Sequence, residues 1–175
     1  MGQTCDIVDL ADHCRRMRDA GLRLVLCHGC FDFLHFGHLR HFKAAKEHGD
    51  VLLVTVTPDR YVDKGPDRPV FPEEYRVEFI AALEVVDYVA LNQWPTAVET
   101  IERLRPAVFA KGGEYKNPAP GMKTNIPVEE HAVRRVGGKM VFTGDVAFAS
   151  TSLLARYCGE HFLSAPAKGK PIATS

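Results

Sequence analysis

Two histidines, His35 and His38, are the residues in this sequence best suited to chemistry. They follow a strand-like apolar run at 23–27 and lead into a segment with helical character, Leu39 to His48. Because residues three apart share a face at a helix start, both imidazoles can point the same way. Two imidazoles beside a polyphosphate can donate hydrogen bonds to its oxygens as charge builds in a transition state. The competing interpretation is a pair of surface or packed histidines.

The turn between the strand and the helix carries two glycines, Gly29 and Gly37. A helix start presents unpaired N–H groups and the positive end of the helix dipole, so it favours an anion. Glycine lets the backbone take conformations closed to other residues and lets a ligand approach closely. The pattern therefore predicts a phosphate-binding turn.

The segment from Cys27 to His38, CHGCFDFLHFGH, resembles the GxFDxxHxGH block of the HxGH nucleotidyltransferase superfamily, cytidylyltransferase-like branch. Within that branch it is most similar to heptose 1-phosphate adenylyltransferase domains, including versions fused to a sugar kinase. The likeness extends from about Ile7 to about Arg156. HxGH alone is also found in class I aminoacyl-tRNA synthetases, but 175 residues leave no room for an anticodon domain.

The resemblance implies an enzyme that transfers a nucleoside monophosphate, from ATP in the heptose branch, to D-glycero-D-manno-heptose 1-phosphate and releases pyrophosphate. It implies His35, His38 and Lys46 as catalytic residues, with His28 and Asp32 near the sugar phosphate. Asp32 is expected mainly to orient the turn or a histidine. The residues expected to bind the nucleotide are Gly29, Cys30, Phe31, Gly37, Arg76, Lys111, Gly112, Ser150, Thr151 and Ser152.

Several of these assignments have a structural alternative. Lys46, two turns beyond His38, could reach back to phosphates or be a solvated helix lysine. Arg76 could clamp an anion or pair with Glu73 at the surface. Lys111 begins a KGGEY segment similar to KGGDY of the heptose branch and would neutralise phosphate charge. The hydroxyl run 150–152 resembles the family's STT, yet capping alone would explain one hydroxyl.

Two departures from the family pattern bear on the substrate. His28 stands where heptose-branch relatives commonly have Asn, so the preference for base or sugar is open. Glycerol 3-phosphate cytidylyltransferases carry an arginine where this chain has Asp145, which counts against that substrate. CTP-dependent transfer to another phosphorylated polyol or sugar remains an alternative, as does a nucleotide-binding partner module of a sugar kinase.

Composition excludes several other classes. Lys plus Arg equals Asp plus Glu at 22 each, so no general attraction to nucleic acid or membrane is expected. No apolar run approaches the roughly 20 residues of a membrane span, and no signal peptide is visible at the start. Five cysteines fit a reducing, cytoplasmic location. Cys27 and Cys30 form a CxxC, for which packing is favoured over redox or zinc binding.

Strand-like and helix-like segments alternate through five strands, which predicts one α/β domain with a doubly wound parallel sheet. The resemblance implies a Rossmann-like strand order 3-2-1-4-5. We expect residues 1–162 to form this domain, with a last helix from Ser150 to Cys158, and 163–175 to be a flexible tail. Mg²⁺ is expected with the triphosphate, and no cluster with metal-ligand spacing is visible. A homodimer is expected from the resemblance.

Overall fold

The computed structural model describes residues 2–65, 68–118 and 124–144. In this part of the chain, six parallel strands form one sheet in the order β1-β4-β3-β2-β5-β6. The strands are β1 Gln3–Thr4, β2 Leu24–Gly29, β3 Val51–Val56, β4 Tyr88–Leu91, β5 Val108–Lys111 and β6 Lys139–Phe142. The helices are α1 Ile7–Asp19, α2 Phe36–Lys46, α3 Glu73–Ala81, α4 Val98–Leu104 and α5 Ile126–Arg135, with 3-10 turns at Asp59–Tyr61 and Gly113–Tyr115.

Strand β2 is the centre of the sheet and is buried on both faces. Successive side chains of a strand point to opposite faces, so Leu24 and Leu26 pack on one side while Val25 and Cys27 pack on the other. This double burial explains why β2 reads as a continuous apolar run instead of an alternating one.

Helices cover both faces of the sheet. One core cluster contains buried side chains of α1, α4 and α5, among them Leu10, Ile101 and Val133. The other contains buried side chains of α2 and α3, including Phe42 and Ile80. This two-sided packing is the doubly wound arrangement predicted from the sequence.

The predicted α/β class and the relative order of the five predicted strands are confirmed, but the sheet has a sixth strand. Strand β1 is only two residues long and pairs with β4 through Gln3 to Tyr88 and Thr4 to Val89. Two residues are too few to show a hydrophobic period, so no sequence pattern indicates this strand.

Helix α2 begins at Phe36, three residues earlier than the predicted segment, and ends at Lys46. His35 caps it with an extended backbone and a side chain that accepts from the Gly37 amide. The earlier start places both histidines of the HxGH motif at the opening of the helix instead of ahead of it.

The chain order reverses at β2, because β3 and β4 lie on one side of it and β5 and β6 on the other. Ligands of such sheets bind beyond the carboxyl ends of the strands at this reversal. His28 and Lys111 lie at the carboxyl ends of β2 and β5, beside the turn that carries His35. Among the described residues, no helix has the length and apolarity to cross a membrane. The predicted last helix and tail lie outside the described residues.

Candidate active site

The structure brings the two histidines of the motif together. The ring centroids of His35 and His38 are 4.1 Å apart and the planes are inclined by 36°. The edge of the Phe31 ring meets the His38 ring at 5.5 Å, and Phe31 in turn packs on Phe42 at 5.1 Å. The core therefore supports His38 from one side, and His35 lies over its ring.

Hydrogen bonds determine which ring nitrogens are available to a ligand. The Gly37 amide donates to Nδ1 of His35 over 3.0 Å, and the His35 amide lies 3.4 Å from Nδ1 of His38. A nitrogen that accepts from an amide carries no proton, so each neutral ring has its proton on Nε2. Both rings can therefore donate an Nε2–H bond to a ligand.

The environment keeps these imidazoles neutral. Burial, followed by the neighbouring charges of His35, His41 and Lys64, lowers the pKa of His38 to about 3. Burial also lowers the pKa of His35, against an opposing effect of Glu114. The pair is thus set to donate hydrogen bonds as neutral groups near neutral pH.

The glycines act differently from the prediction, since Gly29 does not take a positive φ and Gly37 lies in the helix. The residue with left-handed backbone in this turn is Phe31, with φ 50°. A Cβ on Gly29 would lie 3.0 Å from the Phe31 ring, so this glycine makes room for an aromatic side chain. The amides of Gly37 and His38 are already bonded to His35, which reduces the number of free donors at the helix start.

His28 lies between the ends of β2 and β3. Its Nδ1 is 3.0 Å from the Thr55 hydroxyl, and its Nε2 is 3.4 Å from the Thr57 hydroxyl. Burial and the nearby Lys111 charge lower the pKa of His28 to about 3. In this structure His28 is held by hydroxyls at the floor of the site.

A second histidine of helix α2, His41, belongs to the site, although the sequence analysis did not select it. His41 lies one turn beyond His38, and its Nδ1 is 2.8 Å from the hydroxyl of Thr143, which follows β6. Burial and the nearby Lys111 charge lower the pKa of His41 to about 4. The three-residue spacing from His38 could have indicated it.

Lys111 is buried at the end of β5 and has a carboxylate partner. Its Nζ is 3.0 Å from Oε2 of Glu129, which is itself buried, and it lies over the rings of Phe109 and Tyr115. The Glu129 carboxylate therefore neutralises part of the Lys111 charge, which the sequence analysis expected to act on phosphate. Gly112 follows with φ −62°, an ordinary conformation.

Arg76 is buried instead of lying at the surface, and its ion pair is with Asp59 instead of Glu73. Only 1% of the residue is exposed. Its Nε donates to the Phe71 carbonyl over 3.0 Å, Nη1 to the Cys30 carbonyl over 2.5 Å and Nη2 to Asp59 over 2.5 Å. In this arrangement Arg76 is therefore not placed to contact phosphate directly.

Asp32 holds neither its own turn nor a histidine through its side chain, but the backbone of the loop at Val70 and Phe71. Its Oδ1 accepts from the amides of Val70 at 2.7 Å and Phe71 at 3.0 Å, and its Oδ2 lies 2.6 Å from Nε of Arg68. The carboxylate is buried, so the two amide hydrogen bonds and the ion pair with Arg68 replace its hydration.

Lys46 is not in the site, which corrects the sequence prediction. Its ammonium donates to the Asp50 carbonyl and pairs with Asp87, whose carboxylate also accepts from the Leu52 amide. These partners lie at the amino ends of β3 and β4, at the edge of the sheet opposite the histidines. Lys46 lies on the same helix as His38, as the spacing predicted. However, each residue of α2 beyond His38 lies about 1.5 Å further along the helix axis, away from the site.

The lysine whose charge reaches His38 is Lys64, which was not among the predicted site residues. Its charge contributes to the lowered pKa of His38 and lies near the Cys30 thiol, whose pKa is raised by burial. Burial also raises the pKa of Cys27, which argues against a redox CxxC. The hydroxyls Ser150, Thr151 and Ser152 lie outside the described residues.

Known proteins are similar to this chain over most of its length. The Cytidylyltransferase-like family model matches residues 26–155. The bifunctional protein HldE of a Nitratiruptor species is 46% identical over 98 residues, covering 55% of this chain and 21% of that protein. HldE of Methylobacillus flagellatus is 36% identical over 156 residues, covering 88% of this chain and 30% of its own. The chain thus spans less than a third of the length of these relatives.

Two solved structures are similar. A lipopolysaccharide core biosynthesis protein from Thermoplasma volcanium has a TM-score of 0.59 and 27% identity, covering 71% of this chain and 98% of that one. A pantoate-beta-alanine ligase from Francisella tularensis has a TM-score of 0.54 at 14% identity, covering 82% and 67%, and supports the fold alone. The fold and the family model together define a Rossmann-like α/β domain of the cytidylyltransferase-like class. The chain belongs to the Cytidylyltransferase-like family.

The lowered histidine pKa values predict acid sensitivity. The folded pKa of His28 is about 3 against an ordinary 6.5, so between these values the unfolded chain binds the extra proton. The free energy of unfolding should fall as pH drops from 6.5, by up to about 1.4 kcal/mol per pH unit for one such histidine. Urea denaturation of His28→Asn should show a shallower pH dependence than the wild type. If the free energy of unfolding depended on pH equally in both proteins, the lowered pKa of His28 would be contradicted.

The position of Lys46 predicts that it does not serve the nucleotide. Lys46→Gln should leave the Kd for a non-hydrolysable nucleoside triphosphate within about twofold. Its half-exposed ion pair with Asp87 is worth at most about 1 kcal/mol of stability. Calorimetric titration checks this, with Lys43→Gln, an exposed lysine on the same helix, as control. A rise in Kd of about tenfold for the Lys46 variant alone would contradict it.

Proposed function

We propose that this chain transfers a nucleoside monophosphate, with ATP as donor, to a sugar 1-phosphate, with D-glycero-D-manno-heptose 1-phosphate as acceptor. The observation that carries the proposal is the pair of adjacent, neutral imidazoles with Nε2–H donors at the carboxyl edge of β2. The sugar is supported by the likeness to HldE proteins. Heptose biosynthesis in the cytoplasm follows as part of the same proposal.

The proposed reaction needs positioning and charge stabilisation more than covalent help. An oxygen of the sugar 1-phosphate attacks the α-phosphorus, a new P–O bond forms, and the bond to the β-phosphate oxygen breaks. Pyrophosphate leaves with the electron pair. His35 and His38 would donate hydrogen bonds to the phosphate oxygens, where negative charge accumulates.

Cations near the histidines would offset the charge of the triphosphate. Lys64 is close enough to affect the pKa of His38. Lys111, paired with Glu129, lies deeper and lowers the pKa values of both His28 and His41. Lys64 is the exposed cation of the two and is therefore better placed to meet a phosphate.

Mg²⁺ would enter with the triphosphate as part of the substrate and would supply further charge neutralisation. Within residues 2–65, 68–118 and 124–144, no group of three or more His, Cys, Asp or Glu residues could hold a metal ion. The proposed mode of binding therefore uses phosphate oxygens and water, with few protein ligands.

Two alternatives follow from specific observations. His28, bonded to hydroxyls where heptose-branch relatives have Asn, leaves room for CTP-dependent transfer to another phosphorylated polyol or sugar. The likeness to proteins named bifunctional supports a nucleotide-binding module that works as a partner of a sugar kinase. Under that second alternative the site binds nucleotide but turns it over slowly.

The test is pyrophosphate release by the purified protein with Mg²⁺, heptose 1-phosphate and each nucleoside triphosphate in turn. The proposal predicts turnover with ATP, whereas turnover with CTP alone would favour the first alternative. His38→Ala should lower kcat by about 10²–10³-fold, because its hydrogen bond serves developing charge. The melting temperature should change little.

His131→Ala is the matched control, because this histidine is exposed on α5, away from the site. Its kcat should equal that of the wild type. No pyrophosphate with any triphosphate would reject the enzymatic proposal. A His38 variant that loses its fold together with its activity would indicate a packing histidine instead.

We also propose that two copies of the chain pair through an aromatic face of α3. Phe71, Tyr75 and Phe79 are 41–59% exposed and line a groove of about 750 Å³ that continues to Phe33 and Phe31. Their exposed area, roughly 300 Å² of aromatic surface, is a large share of the interior of a standard interface of about 800 Å² per partner. A two-fold axis would place the aromatic side chains of each copy in the groove of the other.

The dimer proposal predicts that Phe79→Glu converts a dimer into a monomer, because a buried unpaired carboxylate costs several kcal/mol. Light scattering coupled to gel filtration measures the mass. Val128→Glu is the control, since Val128 is 52% exposed on α5, which covers the other face of the sheet. A monomeric wild type, or dissociation by both variants alike, would contradict the assignment.

A further inference from the structure

Two buried charged side chains, Arg76 and Asp32, join two segments of the chain. One is the β3–α3 connection, described at residues 57–65 and 68–72, and the other is the turn at residues 30–34 that precedes the histidines. Asp32 belongs to that turn, and its Oδ1 accepts from the amides of Val70 and Phe71 at the far end of the connection. Arg76, on α3, donates to the Cys30 carbonyl of the same turn and to the Phe71 carbonyl. The turn and this end of the connection are thus crosslinked by four hydrogen bonds.

The same guanidinium also binds the end of the connection that follows β3, at Asp59. Nη2 of Arg76 donates to Asp59 Oδ1, and Asp59 exchanges hydrogen bonds with Glu73: its amide donates to Oε2 over 2.6 Å, and the Glu73 amide donates to its Oδ2 over 3.3 Å. The Thr57 amide also donates to the Gly29 carbonyl over 2.9 Å. Both described ends of the connection are therefore bonded to residues 29–32.

We propose that Arg76 and Asp59 are positioning residues, which hold the connection so that Lys64 faces His38. Arg76 is 1% exposed, and its guanidinium donates three hydrogen bonds, one each to Cys30, Phe71 and Asp59. Three of its five N–H groups are thus committed to protein acceptors, and burial keeps the whole side chain from solvent. This inference rests on the proposed function for its catalytic consequence, but its structural part does not.

The geometry requires an arginine and not merely a cation. A lysine ammonium keeps the charge but lacks the planar fork that serves three acceptors at fixed angles. If Arg76 bound phosphate as a charge, Arg76→Lys would retain most activity. If it positions the connection, Arg76→Lys and Arg76→Gln should be impaired alike.

The experiment compares Arg76→Lys, Arg76→Gln, Asp59→Asn and the double variant Arg76→Gln/Asp59→Asn under pyrophosphate-release conditions, far below each melting temperature. Positioning predicts that kcat falls about tenfold or more in each single variant, because a small misplacement is costly. The double variant should be no worse than the worse single one, because the two side chains share the Arg76–Asp59 ion pair. Multiplying effects, or an active Arg76→Lys, would overturn the proposal.

Trypsin cleavage after Lys64 gives a readout that does not need turnover. Each Arg76 and Asp59 variant should be cut there several-fold faster than the wild type, while far-UV dichroism shows the same folded fraction. Glu130→Gln, which breaks the exposed pair with Arg134 on α5, is the matched control and should match the wild type in kcat and cleavage rate. Unchanged cleavage in the Arg76 variants would overturn the proposal, even if the wild type released no pyrophosphate.

Discussion

The hydrogen bond from the Gly37 amide to Nδ1 of His35 is the interaction on which the site depends. It caps helix α2, and it also determines which imidazole nitrogen carries the proton. The contact of the His35 amide with Nδ1 of His38 repeats this arrangement one turn on. The side chains of His35 and His38 thus both cap the helix and supply the two outward donors. The local folding of this turn therefore determines the chemistry of the site.

The sheet makes this arrangement possible by burying β2 on both faces. Val25 and Cys27 pack against α2 and α3, whereas Leu24 and Leu26 face α1, α4 and α5. The end of β2 is therefore fixed, and parallel pairing places the ends of β3 and β5 beside it. His28, Thr55 and Lys111 reach one edge because the register requires it. The same edge is where the strand order reverses, which is the usual ligand site of open α/β sheets.

Much of this was predictable from the sequence. The alternation of strands and helices follows from periodicity, and the closeness of His35 and His38 follows from their spacing. The order of five strands was implied by the family resemblance. The errors concern long-range partners. Spacing placed Lys46 on the correct helix but could not show that the helix carries it to the far edge, beside Asp87. Charge type suggested that Arg76 meets phosphate, while its burial against Cys30 and Asp59 is decided by tertiary contacts.

The central claim is that His35 and His38 are neutral donors whose Nε2–H groups meet a polyphosphate. Nitrogen-15 NMR of the histidine rings at neutral pH, with and without a non-hydrolysable nucleoside triphosphate, tests it most directly. We expect neutral rings protonated on Nε2, with both Nε2 resonances shifting on binding. Rings that are charged, that carry the proton on Nδ1, or that do not respond to the nucleotide would contradict it.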